Sequence, residues 1–204
     1  MTPGHAHSAL IRRLYEIGAI RFGEFTLKSG IVSPFYIDLR VVISFPDVLE
    51  QIGVLMAALV SRCGGDRVGG IPYAGLPLAV AASLAGRVPL VYPRRETKDY
   101  GTRRRIEGQF KPGERVVLID DIITDGASKV EAIQPLEEAG LVVKDLVVLV
   151  DREQGGRELL AARGYVVHAV LTISQCFDEG ERAELAPTGL IRQSREFLRA
   201  TRFA

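Results

Sequence analysis

Two adjacent carboxylates, Asp120 and Asp121, close the apolar run 116–119 and precede Ile122, Ile123, Thr124, Asp125, Gly126, Ala127 and Ser128 in the stretch VVLIDDIITDGASK. The order is chemically informative. Backbone amides at the start of a helix are unpaired and carry partial positive charge, so with the Thr124 and Ser128 hydroxyls they form a cradle for a phosphate monoester. Gly126 permits the close backbone approach or positive φ that such a loop needs. Two carboxylates just upstream can accept hydrogen bonds from the vicinal hydroxyls of a ribose whose 5-phosphate lies in that cradle. The plainer reading is a pair of solvated strand-end acids with Thr124 or Ser128 as a helix cap; the full strand-acid-acid-loop-helix order favours the sugar phosphate. The spacing is not that of a Walker A loop, and no G-x-G-x-x-G occurs.

Further segments carry candidate chemistry. Arg94, Arg95, Lys98, Arg103, Arg104 and Arg105 set six cations against Glu96 and Asp99. A charge run is commonly a solvated face or a nucleic-acid patch, but beside a sugar-phosphate cradle it can close over pyrophosphate and stabilise charge on a leaving group. Pro72-Tyr73-Ala74-Gly75 reads as a tight turn or as a second, backbone-rich anion site. Arg152 follows another apolar run, either as an ion-pair partner of Asp151 or Glu153 or as a guanidinium fork for a substrate carboxylate. Lys28 reads as an exposed strand residue, and Phe35-Tyr36-Ile37 as core.

In an open α/β sheet, ligands sit beyond the carboxyl ends of the strands, so these residues need such a sheet to bring them together. The pattern predicts one. Leu10, Ile11, Leu14 and Ile17 lie at helical spacing over 9–18, opposite Arg12, Arg13 and Glu16. Residues 22–40 read as two short strands joined by a turn, a small cap. A helix follows Pro46 to about residue 60, and then strands at 67–71, 88–92, 115–119, 146–150 and 166–171 alternate with helices near 75–85, 127–140 and 155–163. Alternation of this kind implies an α/β fold with a central, mostly parallel five-stranded sheet flanked by helices. Near-continuous apolar runs such as VVLI and LVVLV suit strands covered on both faces. Residues 93–113 interrupt the alternation and read as a long, polar, mobile loop. The expected organisation is one domain over 1–204, with the N-terminal helix and cap to about 45, the core over about 46–171 and C-terminal helices over about 172–204.

The 204 residues, 47% hydrophobic and 25% charged, have the balance of a globular protein. With Lys plus Arg at 26 and Asp plus Glu at 25, a net charge of +1 offers no global attraction to nucleic acid or an anionic membrane. Two cysteines, Cys63 and Cys176, and three histidines, His5, His7 and His168, are too few for the clustered ligands of a structural zinc site or for a disulfide framework. Both thiols read as small core residues. The start of the chain lacks a signal-like charged and apolar pair of regions, and no run is long and apolar enough to span a bilayer, so a cytoplasmic protein is expected.

VVLIDDIITDGASK resembles the phosphoribosyl pyrophosphate (PRPP) motif of the type I phosphoribosyltransferases. Together with FGEFTLKSGIVSPFYIDLR, GGIPYAGLPLA, RRETKDYGTRRRIEG and LVDREQGG, in that order over residues 22–156, it resembles the orotate phosphoribosyltransferases among them. The resemblance implies transfer of ribose 5-phosphate from PRPP to orotate, giving orotidine 5′-monophosphate and pyrophosphate in de novo pyrimidine synthesis. It implies that Asp120 and Asp121 orient the ribose, that residues 122–128 hold its phosphate, and that Lys98 assists the departing pyrophosphate. Lys28, Tyr73, Ala74, Arg94, Arg95 and Tyr100 become further PRPP contacts. Lys28, Tyr36, Ile37, Thr124 and Arg152 become orotate contacts. It also implies Mg²⁺ held mainly by PRPP and water and a homodimer whose cationic loop reaches the neighbouring site; the length, taken up by the cap and the 93–113 loop, is expected to leave no room for the fused decarboxylase that some relatives carry. Three positions depart from the pattern of many relatives: Ala74 stands where a Lys is common, Tyr100 where His is common, and Asp125 where a small or hydroxyl residue is usual. Asp125 is expected to face solvent and serve the helix N-terminus. A PRPP-sensing nucleic-acid regulator and a transferase for another base are the competing readings.

Overall fold

A computed structural model describes residues 3–26, 30–94 and 105–201. The chain opens with α1 (Pro3–Glu16), the hairpin β1 (Ile20–Thr26) and β2 (Val32–Ile37), and a 3-10 turn at Leu39–Ser44. It continues through α2 (Pro46–Cys63), β3 (Arg67–Gly70), α3 (Gly75–Gly86), β4 (Leu90–Pro93), β5 (Ile106–Glu107) and β6 (Arg115–Ile123). The remainder is α4 (Ala127–Glu138), β7 (Val142–Asp151), α5 (Gly156–Ala162), β8 (Val166–Thr172), α6 (Ile173–Arg182) and α7 (Thr188–Ala200).

The main sheet has the order β5-β4-β3-β6-β7-β8. Five strands are parallel, as expected, and β5 adds a two-residue antiparallel edge in register with β4, Tyr92 opposite Glu107. Residues 93–113 are therefore not one uninterrupted loop. Ile106 is buried in the core, and that anchors the return strand.

Strand β6 shows why the sheet must be covered on both faces. Val117 and Ile119 enter a cluster with Ile52, Met56 and Leu78 from α2 and α3, whereas Val116 and Leu118 enter one with Ile133, Leu136 and Leu160 from α4 and α5. Alternate side chains of a strand point to opposite faces, so a continuous apolar run feeds two cores. The cap hairpin is held from outside the sheet. Phe35 meets Phe177 of α6 edge-on at 5.3 Å and Phe197 of α7 at 6.1 Å. Glu179 on α6 is buried and accepts from Arg12 of α1 at 2.7 Å and from Arg182.

From β3 the chain moves outward to β4, then β6 returns to the other side of β3. The crevice beyond the ends of β3 and β6 is therefore the switch point at which an open α/β sheet binds its ligand.

Candidate active site

The acidic pair sits on the last turns of the β6 ladder. Asp120 is paired with Val148 and Ile123 with Asp151, so the strand runs four residues past the expected end at Ile119 and contains both acids. Lys129, in the first turn of α4, makes this possible: its Nζ lies 2.6 Å from Asp120 Oδ2, with both side chains under a tenth exposed. The same Nζ donates to Ser128 Oγ at 3.3 Å. Asp120 Oδ1 accepts from the Asp121 amide at 2.9 Å, and Asp121 Oδ1 from the Ile122 amide at 2.8 Å. Burial, reinforced by the neighbouring Asp120 charge, pushes the Asp121 carboxyl up to about 7, against the opposing pull of Lys129.

The loop after β6 has the geometry of a phosphate cradle. Gly126 adopts φ 83° at the start of α4, a left-handed conformation that favours glycine. The Gly156 amide donates to Thr124 O at 2.9 Å and braces the loop from α5. Asp125 is exposed and its Oδ1 accepts from the Ala127 amide at 3.0 Å, serving the helix N-terminus as expected. Ile123 is fully buried in the cluster on the α4 face and Ile122, partly buried, packs against the cluster on the other face, so both side chains turn toward the cores. Ser128 is exposed on the wall of a cleft of about 310 Å³ that is also lined by Pro72, Arg94 and Glu131.

The turn after β3 faces the same motif. A Cβ on Gly75 would stand 2.6 Å from Ile119 O and 3.0 Å from Asp120 Cα, so only glycine lets α3 begin against the acidic strand. Ala74 caps α3 without a side-chain hydrogen bond, Tyr73 is 61% exposed, and the Pro72–Tyr73 peptide is cis. Arg94 pairs with Glu107 on β5, and Arg105 with Glu138 on α4 at 2.6 Å. Two of the six cations thus have acidic partners outside their own loop, and the local surplus is smaller than the residue count implied. Lys28, Arg95, Lys98, Tyr100, Arg103 and Arg104 lie outside the described residues.

Arg152 follows β7, where its amide donates to Ile123 O at 3.0 Å. Neither expected acidic neighbour takes its side chain: Asp151 pairs with Arg157 at 3.0 Å, and Glu153 accepts from the Ser174 amide at 3.0 Å. Its Nε is buried without a hydrogen-bond partner, its Cζ sits 5.2 Å from the Phe35 ring centroid, and burial lowers the pKa of the guanidinium. Tyr36 and Ile37 occupy opposite faces of β2. Tyr36 lies with Phe25 at 5.4 Å and Arg21, while Ile37 packs toward the core with Phe35. Their side chains do not form one wall.

Lys129 is the residue that sequence reasoning overlooked. It stands nine positions after Asp120, and the helix start folds it back onto the strand end. The available signal was a lysine directly after the hydroxyls of an acidic sugar-phosphate motif, where a polar helix face would otherwise read as solvated.

No protein-family model matches the chain. A bifunctional enzyme PyrF/PyrE of Nostoc sp. is 47% identical over 171 residues, 84% of this chain and 36% of that protein. An orotate phosphoribosyltransferase of Archaeoglobus fulgidus is 42% identical over 153 residues, 75% of this chain and 86% of that protein. The chain belongs to the orotate phosphoribosyltransferase family. The solved UMP synthase of Leishmania donovani superposes with a TM-score of 0.87 at 40% identity, covering 95% of this chain and 42% of that one. At that coverage, the orotate phosphoribosyltransferase family likeness takes in the cap hairpin and C-terminal helices as well as the sheet. The chain spans about a third of the length of the bifunctional relative and less than half of the synthase.

Proposed function

We propose that this chain is an orotate phosphoribosyltransferase, transferring ribose 5-phosphate from PRPP to orotate to give orotidine 5′-monophosphate and pyrophosphate for UMP synthesis. The observation that carries the choice of base is Arg152. A buried guanidinium with an unpartnered Nε and no acidic partner among the described residues is costly to leave alone, and a planar carboxylate beneath the cap satisfies it bidentately. Its backbone bond to Ile123 keeps it one residue from the cradle, so a base held by Arg152 meets a sugar held by β6.

In this reading Asp120 and Asp121 accept the ribose hydroxyls, and residues 124–128 hold the 5-phosphate through first-turn amides and hydroxyls. The turn at Tyr73 and Ala74 offers backbone to pyrophosphate. Thr124 gives orotate a second contact, with the residue 36–37 backbone and Lys28 on the cap side. Arg94, Arg95, Tyr100 and above all Lys98 receive the negative charge that grows on the departing pyrophosphate. Fixed charges aimed at developing charge stabilise the oxocarbenium-like transfer without reorganisation. Mg²⁺ fits the donor set as an ion carried chiefly by PRPP oxygens and water: among the described residues no cluster of three ligating side chains faces the crevice, and Asp121 is one partly ionised carboxylate that a nearby dication would favour in its charged form. Bound there, it neutralises pyrophosphate charge.

No helix among the described residues is long and apolar enough to cross a membrane. Two unbridged thiols support a cytoplasmic setting. Val80 and Leu84, one turn apart on α3, and Val54 on α2 are exposed apolar residues on two helices packed together, which supports self-association as a homodimer.

The deciding experiment mixes purified protein with PRPP, Mg²⁺ and orotate and follows loss of orotate absorbance. Turnover with a purine base alone points to a different transferase, and no turnover with any base to a PRPP-binding regulator.

A further inference from the structure

At the opposite end of the sheet, a second group of side chains converges that the transfer reaction does not use. Cys63 ends α2, Asp145 lies near the start of β7 and His168 lies on β8. Parallel pairing sets Val147 opposite His168, so Asp145 and His168 are two residues apart in register and project to the same sheet face. That is the face on which α2 packs, and α2 brings Cys63 to them. One thiol sulfur, one carboxylate oxygen and one imidazole nitrogen all lie within 4.8 Å of one another. The cysteines and histidines read as too few for a structural zinc site, yet one of each meets here with a carboxylate.

We propose that Cys63, Asp145 and His168 form a zinc site, with water as the fourth ligand, that ties the end of α2 to β7 and β8. The donor set is one that a borderline-soft divalent ion prefers over Mg²⁺ or Ca²⁺. Its geometry is nearly in place. His168 Nε2 and Asp145 Oδ1 are 2.9 Å apart, and tetrahedral coordination with zinc–ligand bonds near 2.1 Å would set them roughly 3.4 Å apart. Half an ångström of side-chain movement achieves that. The other carboxylate oxygen is already oriented: Asp145 Oδ2 accepts from Arg115 at 3.2 Å, and the same guanidinium donates to Cys63 O at 3.3 Å. An outer partner of this kind fixes the ligand's direction.

Charge also balances. Zinc with a thiolate and a carboxylate is neutral, so the occupied half-buried site carries only the charge of Arg115. Zinc takes the thiolate, so binding displaces the Cys63 thiol proton to solvent, with no change of oxidation state. Asp145 lies opposite Val117 and Asp120 opposite Val148, so three residues of strand, about 10 Å, separate this site from the acidic pair.

The test uses the whole chain, treated with chelator and kept reduced, and titrated with Co²⁺ as a coloured stand-in for zinc. One equivalent should bind with a thiolate-to-cobalt charge-transfer band that Zn²⁺ then abolishes. Cys63→Ser should remove the band, and His168→Gln, which deletes a direct ligand, should weaken binding by more than the roughly tenfold that loss of an outer partner costs, with far-UV circular dichroism and turnover unchanged in both. Binding without a thiolate band, as His5 and His7 at the chain start could give, overturns the proposal. A band that survives Cys63→Ser also overturns it, as does no binding at all.

Discussion

Lys129 Nζ and Asp120 Oδ2 are 2.6 Å apart in a crevice that leaves 7% and 8% of the two side chains exposed. The ammonium therefore stands on the carboxylate that is proposed to take a ribose hydroxyl. It lets two adjacent acids remain inside a strand, because the cost of burying a carboxylate falls when its charge is paired.

Removing that cation tests its part in the site. Lys129→Met keeps the volume and deletes the charge, leaving Asp120 unpaired beside Asp121. Stability should fall by about 3 kcal/mol, the usual cost of breaking a buried pair from one side. kcat/KM for PRPP should fall at least tenfold, and the acid limb of its pH profile should move to higher pH, since Lys129 is the charge that opposes protonation of Asp121. A stability loss with an unmoved pH profile would mean that Lys129 only supports the fold.

The raised Asp121 carboxyl has its own pH signature. Its folded value of about 7 lies above the unfolded value near 4, so the folded state holds the proton more tightly between those limits. Stability from this group is full below pH 4 and is lost as pH rises through 7. Asp121→Asn should therefore leave Tm unchanged near pH 4 and stabilise the substrate-free protein by about 2 kcal/mol above pH 7, while raising KM for PRPP. Equal Tm differences at pH 4 and pH 8 would contradict this.

Among the described residues, Arg152 has no acidic partner to lose. Arg152→Met should leave Tm equal or higher, since it removes a buried unpartnered charge. KM for orotate should rise about 30-fold or more, in line with the few kcal/mol that a desolvated charge pair contributes to binding, while KM for PRPP changes little. Matching losses for the two substrates would place the guanidinium elsewhere.

Much of the site was legible in the sequence because the apolar run and the polar motif that follows it are contiguous. The run VVLI predicts a strand buried on both faces, and the acids, glycine and hydroxyls after it follow from what a sugar phosphate requires. What was not legible depends on contacts between distant segments. Arg94 and Arg105 read as loop cations, yet their partners Glu107 and Glu138 come from β5 and α4. The strand end was misjudged for the same reason, because Lys129 reaches Asp120 only after α4 folds back. Edge strand β5 is two residues long, too short for alternation to mark it. The meeting of Cys63 with His168 depends on the register of β7 against β8, which a single sequence does not encode locally.

Asp125 holds the Ala127 amide at 3.0 Å from an exposed position, which turns its charge along the helix start. A threonine can make the same cap through its hydroxyl. Asp125→Thr should then change KM for PRPP by less than about twofold, the effect of a weak exposed cap charge near a helix start. A tenfold or larger fall in KM would show that the carboxylate faces the 5-phosphate and repels it.

The shared-site proposal makes a prediction that single variants cannot. If the loop carrying Lys98 acts on the neighbouring subunit, a Lys98→Ala chain and an Asp120→Asn, Asp121→Asn chain are each inactive alone. Random exchange then gives half the dimers as hybrids, and in each hybrid one site receives an intact loop and an intact acidic pair. Because the other site of that hybrid collects both lesions, an equal mixture should recover about a quarter of wild-type activity, the share of sites that are intact, with fixed positioning charges restoring the full rate at each. If the loop instead serves its own subunit, no site in any hybrid is intact and the mixture stays inactive after exchange has been verified by mass. A Leu84→Glu chain separates this from failure to pair: placing a charge on the exposed apolar face of α3 should shift the protein toward monomer in sedimentation and abolish the recovery.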